Sequence, residues 1–169
     1  MATKIEWTEK VWNTVTGCTK VSEACQNCYA EVMAKRLSGM PASKEKYKNG
    51  FKVTLHPECL EEPFSWKKPT MCFVVSMGDL FHKHVSVEFL DKVFDVIENT
   101  PQHTYQVLTK RTMRMAWFSQ NTDISLRMSG LVLPVRMGNT TTVFAICEVS
   151  KMLPSASYPA NRCLVIWQI

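Results

Sequence analysis

Hydrophobic side chains are concentrated in three short runs along the first two thirds of the chain. Residues 10–16 are rich in β-branched and aromatic side chains, which fit a pleated sheet. Residues 71–76 form a continuous apolar run, which is typical of a parallel strand covered on both faces. Residues 104–109 again combine β-branched and aromatic residues. The pattern therefore predicts three strands.

Segments with a helical period follow each of these runs. Residues 29–37 place apolar side chains three and four positions apart, and the Ser-Gly-Met-Pro segment after them ends the helix. Residues 86–98 predict a second helix with Ser86 as its N-cap, and a third, shorter helix is predicted near residues 112–118. The apolar stripe of the second helix, which we expect to face the core, consists of Phe89, Leu90, Val93, Phe94 and Ile97.

The order of these elements favours an α/β fold. Strand and helix follow each other three times, as in folds whose parallel strands are joined by right-handed crossovers. Functional groups in such folds lie beyond the carboxyl ends of the strands. A cysteine-containing loop, residues 77–79, and the pair Lys110 and Arg111 occupy those positions. We therefore expect a site at this edge. Anion binding is one interpretation of the Lys-Arg pair, and exposure to solvent is the favoured one.

Composition narrows the class of protein. The 169 residues suit one domain, and a hydrophobic content of 46% is that of a folded chain. The net charge of +5 is not gathered in a basic stripe, so charge gives no nucleic-acid footprint. No apolar run is long enough to span a bilayer, and the N-terminus lacks the apolar stretch of a secretion signal. We therefore expect a cytoplasmic protein without a membrane partner.

Three of the 7 cysteines are clustered in a C-x6-C-x2-C pattern formed by Cys18, Cys25 and Cys28. Disulfides rarely persist in a reducing cytosol, so clustered cysteines there indicate metal binding or redox chemistry. Thiolates select zinc or iron–sulfur centres, which normally take four ligands. A fourth protein ligand would close a structural zinc site, its absence would leave a coordination position open, and unligated thiols are the remaining alternative. The candidates for a fourth ligand are Cys59, Cys72 and His56.

Several motifs along residues 1–120 resemble those of a family of phage and prophage three-cysteine-motif proteins, which is grouped with the radical S-adenosylmethionine superfamily and has no settled reaction. The thiolate loop after the first strand and the Gly-Asp pair after the second are shared with that superfamily. The residues that carry the closer resemblance are Ile5-Glu6-Trp7-Thr8, Trp12-Asn13, Thr16-Gly17-Cys18, Cys25, Asn27-Cys28-Tyr29-Ala30-Glu31, Ser76-Met77-Gly78-Asp79-Leu80-Phe81-His82 and Gln106-Val107-Leu108-Thr109-Lys110-Arg111.

The resemblance implies a [4Fe–4S] cluster held by Cys18, Cys25 and Cys28, with S-adenosylmethionine bound to the remaining iron and cleaved to a 5′-deoxyadenosyl radical. It also implies a cofactor-binding segment consisting of Ser76, Gly78 and Asp79. Gly78 would let the backbone approach the methionine part of the cofactor. Asp79 would accept a hydrogen bond from its ammonium group or, alternatively, would be a helix N-cap. The fold implied is a (β/α) barrel of the TIM type, incomplete here because only three units are present.

The remainder of the chain, residues 124–169, departs from this pattern. Residues 126–134 have no helical period and weak strand signals, but a displaced reading frame of permitted codons yields a string that resembles the family's next strand. We hypothesise that a frameshift produced this atypical tail, after a partial domain at residues 1–123. The alternative is a divergent pair of strands at residues 143–147 and 163–167.

Truncation has consequences for solubility and activity. Three strand–helix units would leave an apolar edge strand uncovered, so we expect poor solubility and little or no catalysis unless a partner protein encoded nearby completes the fold. The substrate is unknown. The alternative function, from another class, is a small zinc-binding interaction module.

Overall fold

A mixed sheet of five strands, a two-stranded ribbon and three helices make up the described part of the chain. The computed structural model describes residues 8–121 in full, together with the backbone of the strands at residues 132–137 and 140–148. The strands are β1 (Lys10–Trp12), β2 (Val15–Thr16), β3 (Thr54–Leu55), β4 (Met71–Val74), β5 (Thr104–Thr109), β6 (Val132–Met137) and β7 (Thr140–Glu148). The helices are α1 (Tyr29–Ser38), α2 (Val87–Asn99) and α3 (Thr112–Asn121).

The larger sheet has the strand order β1-β4-β5-β7-β6. Strands β1, β4 and β5 are parallel, with Phe73 beside Val11 on one side and beside Gln106 on the other. This confirms the predicted α/β class with parallel strands. The described strands do not close into a barrel, and the expected incomplete TIM-like barrel is not confirmed. After α3 the next described strands are antiparallel rather than a further parallel unit, so the described sheet is open, with β1 and β6 at its two edges.

The predicted helices are confirmed to within a few residues, and none of the described helices is long and apolar enough to cross a membrane. The predicted third strand coincides with β5. The first predicted strand is instead divided in two, because β1 pairs with β4 whereas β2 pairs with β3. Asn13 lies at the division, and its side chain binds the segment after β4 instead of continuing the ladder.

The core lies between the parallel strands and α2. The stripe of α2 is buried as predicted, and Phe94 packs on Phe81 and on Phe118 of α3. The face of β4 that carries Cys72 and Val74 belongs to this core, whereas Met71 and Phe73 on the other face are only partly buried. The second face of β4 is therefore covered in part, less than the apolar run predicted. Periodicity alone does not show how much cover the second face receives.

The Ser86 side chain caps α2 as predicted, with its hydroxyl accepting a hydrogen bond from the Phe89 amide at 3.3 Å. We expect Ser86→Ala to lower the free energy of unfolding by about 1 kcal/mol, because a first-turn amide loses its acceptor. Urea denaturation followed by circular dichroism measures this change. Ser86→Asp, which keeps an acceptor at the cap, is the matched control and should retain the stability. Equal losses in both variants would contradict the assignment.

The tail covers an edge that the sequence predicted to be bare. Strand β7 pairs with the whole length of β5, from Thr104 to Thr109. The expectation that β5 is an uncovered edge strand is therefore wrong. Residues 143–147 lie within β7, as the alternative of a divergent strand pair had it, and the described partners of β7 are β5 and β6. The other proposed member, residues 163–167, lies outside the described residues. The backbone of the tail thus extends the sheet by a hairpin.

Candidate functional site

The loop that carries the cysteines and the segment after β4 meet at the carboxyl edge of the parallel strands. Gly17 donates a backbone hydrogen bond to the Met77 carbonyl at 2.8 Å, and Gly17 and Gly78 form an isolated parallel bridge. A Cβ atom added at Gly78 would lie 2.8 Å from the Gly17 carbonyl oxygen. Glycine at position 78 is therefore required by the close approach of two loops of this chain. The predicted contact between Gly78 and a cofactor stays a prediction.

Val75 turns the chain sharply at the end of β4. Its φ of +58° lies in the left-handed region, which is strained for a β-branched residue. The Val75 amide donates to the Trp12 carbonyl at 2.8 Å, and its side chain is buried in the core. The next residue, Ser76, donates its hydroxyl to Asn13 Oδ1 at 3.2 Å. These contacts hold the strained turn and direct the cofactor-binding segment that the sequence predicted toward the cysteine loop.

Asp79 joins the end of β4 to the end of β5. Its Oδ1 accepts hydrogen bonds from the Thr109 hydroxyl at 2.7 Å and from the Phe81 amide at 3.0 Å, while its Oδ2 accepts from the Lys110 amide at 3.3 Å. Burial raises the pKa of this carboxyl, and the hydrogen bonds act against that shift. The N-cap alternative is wrong, because α2 is capped by Ser86. The predicted ammonium contact stays a prediction for a carboxylate that is already occupied within the chain.

Lys110 and Arg111 turn inward, toward the cysteine loop. Arg111 Nη2 donates to the Thr19 carbonyl at 3.0 Å and lies 3.9 Å from Cys18 Sγ. Its Nε is 3.8 Å from Asp79 Oδ2, and its side chain is 14% exposed. Lys110 Nζ lies 3.6 Å from Cys25 Sγ. The expectation that this pair faces solvent is therefore wrong, because the buried Asp79 carboxylate and the loop acceptors offer the two cations partners that the sequence does not show.

The thiols of this loop have different environments. Burial raises the pKa of Cys18, although the Arg111 guanidinium acts in the opposite direction. Burial would also raise the pKa of Cys25, but hydrogen bonds from the Val21 and Ser22 backbone and the Ser22 hydroxyl, with the charge of Lys110, lower it to about 7. A pKa near 7 gives Cys25 substantial thiolate character, the form that binds metals. The loop therefore contains one thiol already suited to ligation.

Cys28 and the three candidate fourth ligands have separate places. Cys28 is the residue before α1 and packs on a small cluster with Ala30 and Met77. Within residues 8–121, no three His, Cys, Asp or Glu side chains are grouped closely enough to hold one metal ion. The candidate ligands have other partners: Cys59 accepts a hydrogen bond from Lys46, Cys72 lies in the core, and His56 contacts Thr16 and Glu58.

A buried histidine, for which the sequence predicted no role, contacts the cysteine loop at Thr19. His82 is fully buried, and its Nδ1 accepts a hydrogen bond from the His84 amide at 3.1 Å. Its Nε2 must then carry the proton and donate to Thr19 Oγ1 at 2.9 Å. Arg111 Nη2 donates to the same oxygen at 2.9 Å. Thr19 is thereby fixed beside Cys18. The only sequence signal for His82 was its place in the motif that follows β4.

Protonation of His82 should couple the stability of the protein to pH. Burial lowers the pKa of His82 to about 4, assisted by the charges of Arg111, His84, Lys83 and Arg114. The unfolded chain takes up a proton below about pH 6.5, whereas the folded chain does not do so until about pH 4. We therefore expect the free energy of unfolding to fall by about 2 kcal/mol between pH 7 and pH 4.5 through this residue.

The measurement is urea unfolding at a series of pH values for the wild type and for His82→Gln, which keeps a polar side chain but does not titrate. Subtracting the two profiles removes the contributions of His56 and His103, whose pKa values burial also lowers. The difference should decline as the pH falls through this interval. Parallel profiles would show that His82 is not the group responsible.

Comparison with known proteins identifies the family. No curated protein and no solved structure matches the chain. A family model does match, over residues 2–155, a longer stretch than the 120 or so residues on which the resemblance rested. The match includes the cysteine loop, the segment after β4, the Lys-Arg pair and the hairpin of β6 and β7. Because it spans most of the 169 residues, the chain belongs to the family described as "Protein of unknown function (DUF5131)".

Proposed function

We propose that this chain is a radical S-adenosylmethionine-like protein in which Cys18, Cys25 and Cys28 hold a [4Fe–4S] cluster. The cofactor S-adenosylmethionine would bind beside it, along Ser76, Gly78 and Asp79. When bound, the cluster and the cofactor would supply one-electron chemistry for which the polypeptide has no group of its own.

The observation that carries the proposal is the meeting of the cysteine loop with two cations at the carboxyl edge of the parallel strands. Arg111 approaches Cys18 and Lys110 approaches Cys25, at 3.9 and 3.6 Å between nitrogen and sulfur. Thiolates bound to an iron–sulfur cluster carry negative charge, and nearby cations and N–H groups stabilise them. The donor set and its electrostatic surroundings therefore fit such a cluster.

A zinc ion and a [4Fe–4S] cluster hold their sulfur ligands at different distances from one another. A single tetrahedral zinc ion with bonds of about 2.3 Å would draw its sulfur ligands to within about 4 Å of one another. A [4Fe–4S] cluster binds each thiolate to a different iron atom, so its ligands are farther apart. The three cysteines belong to one loop and the start of the helix that follows it, so metal analysis distinguishes the two kinds of centre.

Within the proposal, Asp79 has a positioning role. Its carboxylate holds the Thr109 hydroxyl and the Lys110 amide, and it faces the guanidinium of Arg111. It thereby fixes the direction in which both cations leave the end of β5. His82 binds Thr19 Oγ1, the oxygen to which Arg111 also donates. These two buried residues hold Lys110 and Arg111 against the cysteine loop. Without them, the two cations would face solvent at the edge of the sheet.

The experiment that tests this function is metal analysis of the full chain purified without oxygen and reconstituted with iron and sulfide. We expect iron and sulfide in equal amounts, with a broad absorption band at roughly 400 nm from thiolate-ligated iron. Perturbation of the electron paramagnetic resonance signal of the reduced protein by S-adenosylmethionine would support the cofactor. A folded protein that takes up no iron would overturn the proposal, and one that retains zinc instead would be the zinc-binding module.

We also propose that the chain comes from a phage or prophage, on the resemblance, that it resides in the cytoplasm, and that it is inactive because residues 124–169 follow a frameshift. Sequencing the gene around codons 120–130 tests the last point. A family-like frame that continues downstream of the site would support a frameshift. Its absence, together with the pairing of β7 on β5, would identify the tail as a native part of the fold.

A further inference from the structure

A lysine and a cysteine that the proposed function does not use are in direct contact away from the candidate site. Lys46 Nζ lies 3.1 Å from Cys59 Sγ, and the carboxylate of Glu62 is within hydrogen-bonding reach of the same thiol. Lys46 belongs to the turns between α1 and β3, whereas Cys59 ends a short turn of helix after β3. An amine, a thiol and a carboxylate from two separate segments are thus gathered at one point.

Both partners are held in place by the surrounding structure. Cys59 is 7% exposed, and its carbonyl accepts a hydrogen bond of 2.7 Å from the indole of the buried Trp12. Lys46 precedes Tyr47, which is buried against Ala30 and Ala34 of α1. Neither the Cys59 sulfur nor the backbone of Lys46 can move far without disturbing a core contact. The amine therefore has a high effective concentration at the sulfur.

The two charged groups beside the thiol act on it in opposite directions, so the contact with Lys46 is what distinguishes this cysteine. Burial raises the pKa of Cys59, and Lys46 opposes that shift while Glu62 adds to it. Peroxides react with the thiolate form and convert it to a sulfenic acid, whose sulfur is electrophilic. Sulfenic acids condense with a nearby thiol or nitrogen. At Cys59 the Lys46 nitrogen is already in contact with the sulfur.

We propose that Cys59 and Lys46 form a covalent sulfur–nitrogen cross-link when the protein meets hydrogen peroxide. Peroxide transfers one oxygen to the Cys59 sulfur, giving a sulfenic acid and one molecule of water. The Lys46 nitrogen, as the neutral amine, then attacks the sulfur; the S–N bond forms, the S–O bond breaks, and the leaving hydroxide takes a proton from the nitrogen to become a second water. Sulfur is oxidised by two electrons and peroxide is reduced. A thiol reductant cleaves the bond and restores both side chains.

The cross-link would join the segment that supports α1 to the turn that carries the acceptor for Trp12. Tyr47 and the cluster around α1 would then be tied to the main core through a covalent bond rather than a hydrogen bond. The modification does not depend on a metal centre. The cross-link would make the protein respond to oxidation at a site outside the cysteine loop.

The test is mass spectrometry of the full chain treated with hydrogen peroxide in slight molar excess and digested without reductant. We expect a linked pair of peptides containing Lys46 and Cys59, lighter than their sum by two hydrogen atoms, which dithiothreitol separates. Lys46→Arg keeps the positive charge but not the nucleophilic amine and should give no link, whereas the matched control Lys44→Arg should link as the wild type does. Circular dichroism of each variant before treatment confirms that it is folded.

Three outcomes would overturn the proposal. The first is Cys59 found as sulfinic or sulfonic acid, or in a disulfide, while Lys46 remains free. The second is a link that Lys46→Arg retains, since another nucleophile would then be responsible. The third is a link that keeps an oxygen atom, because the direct S–N bond would then be the wrong chemistry. Because none of these measurements involves iron, the result is independent of the proposed cluster.

Discussion

Replacing any one of Cys18, Cys25 and Cys28 with alanine should abolish incorporation of iron and sulfide into the protein. Each side chain is proposed to bind a different iron atom, and a cluster left with two protein ligands is not retained through purification. We expect the iron content to fall from about four atoms per chain to well below one, with loss of the absorption band at roughly 400 nm. Anaerobic reconstitution followed by iron and sulfide determination measures the change.

The matched control is Cys59→Ser, which removes a thiol from outside the cysteine loop and should leave the iron content unchanged. A second control is the free energy of unfolding of each variant before reconstitution, since a chain that fails to fold loses metal for a trivial reason. Full iron content in Cys18→Ala, or equal loss in Cys59→Ser, would show that the loop is not the site. If the cysteine variants lost bound zinc rather than iron, the three cysteines would still be the ligands, but the metal would be zinc.

Local sequence signals were sufficient for the helices and for the central strands. The stripe of α2 and the Ser86 cap depend on residues three or four positions apart, so the sequence contains all the partners they need. Strand β5 was predicted in full because its β-branched and aromatic residues are flanked by clear breaks. The edge at which the functional segments meet also followed, because parallel strands place their carboxyl ends together.

The features that escaped prediction depend on residues far apart in the sequence. Asn13 interrupts the first strand because of a contact with Ser76, and Arg111 turns inward because Asp79 is buried near it. His82 acquired a role only through Thr19, with which it shares a hydrogen bond. The antiparallel pairing of β7 with β5 escaped prediction for the same reason, because the strand pattern of the tail does not indicate which strand it pairs with. Such long-range contacts form most of the candidate site.

Gly17→Ala should be the most destabilising single substitution among the glycines of residues 8–121. Gly17 has a φ of +82°, and a Cβ atom there would lie 2.3 Å from the Lys52 carbonyl oxygen and 2.6 Å from that of Phe51. The left-handed conformation costs an alanine about 1–2 kcal/mol, and overpacking against rigid backbone adds about 1–3 kcal/mol. We therefore expect a loss of about 4 kcal/mol in the free energy of unfolding, measured by urea denaturation. Displacement of the neighbouring Cys18 should also reduce iron uptake.

Two other glycines separate the causes of this loss. Gly50 has a φ of +63° with open space around its Cα, so Gly50→Ala should lose about 1 kcal/mol from the backbone conformation alone. Gly39 follows α1 with a helical φ of −87°, and a Cβ atom there would make only ordinary contact with the Arg36 carbonyl oxygen at 3.5 Å, so Gly39→Ala should be neutral or slightly stabilising. If Gly17→Ala lost no more than Gly50→Ala, the backbone around residues 51–52 would be free to retreat. The close packing that holds the cysteine loop against the segment before β3 would then not be what fixes the position of Cys18.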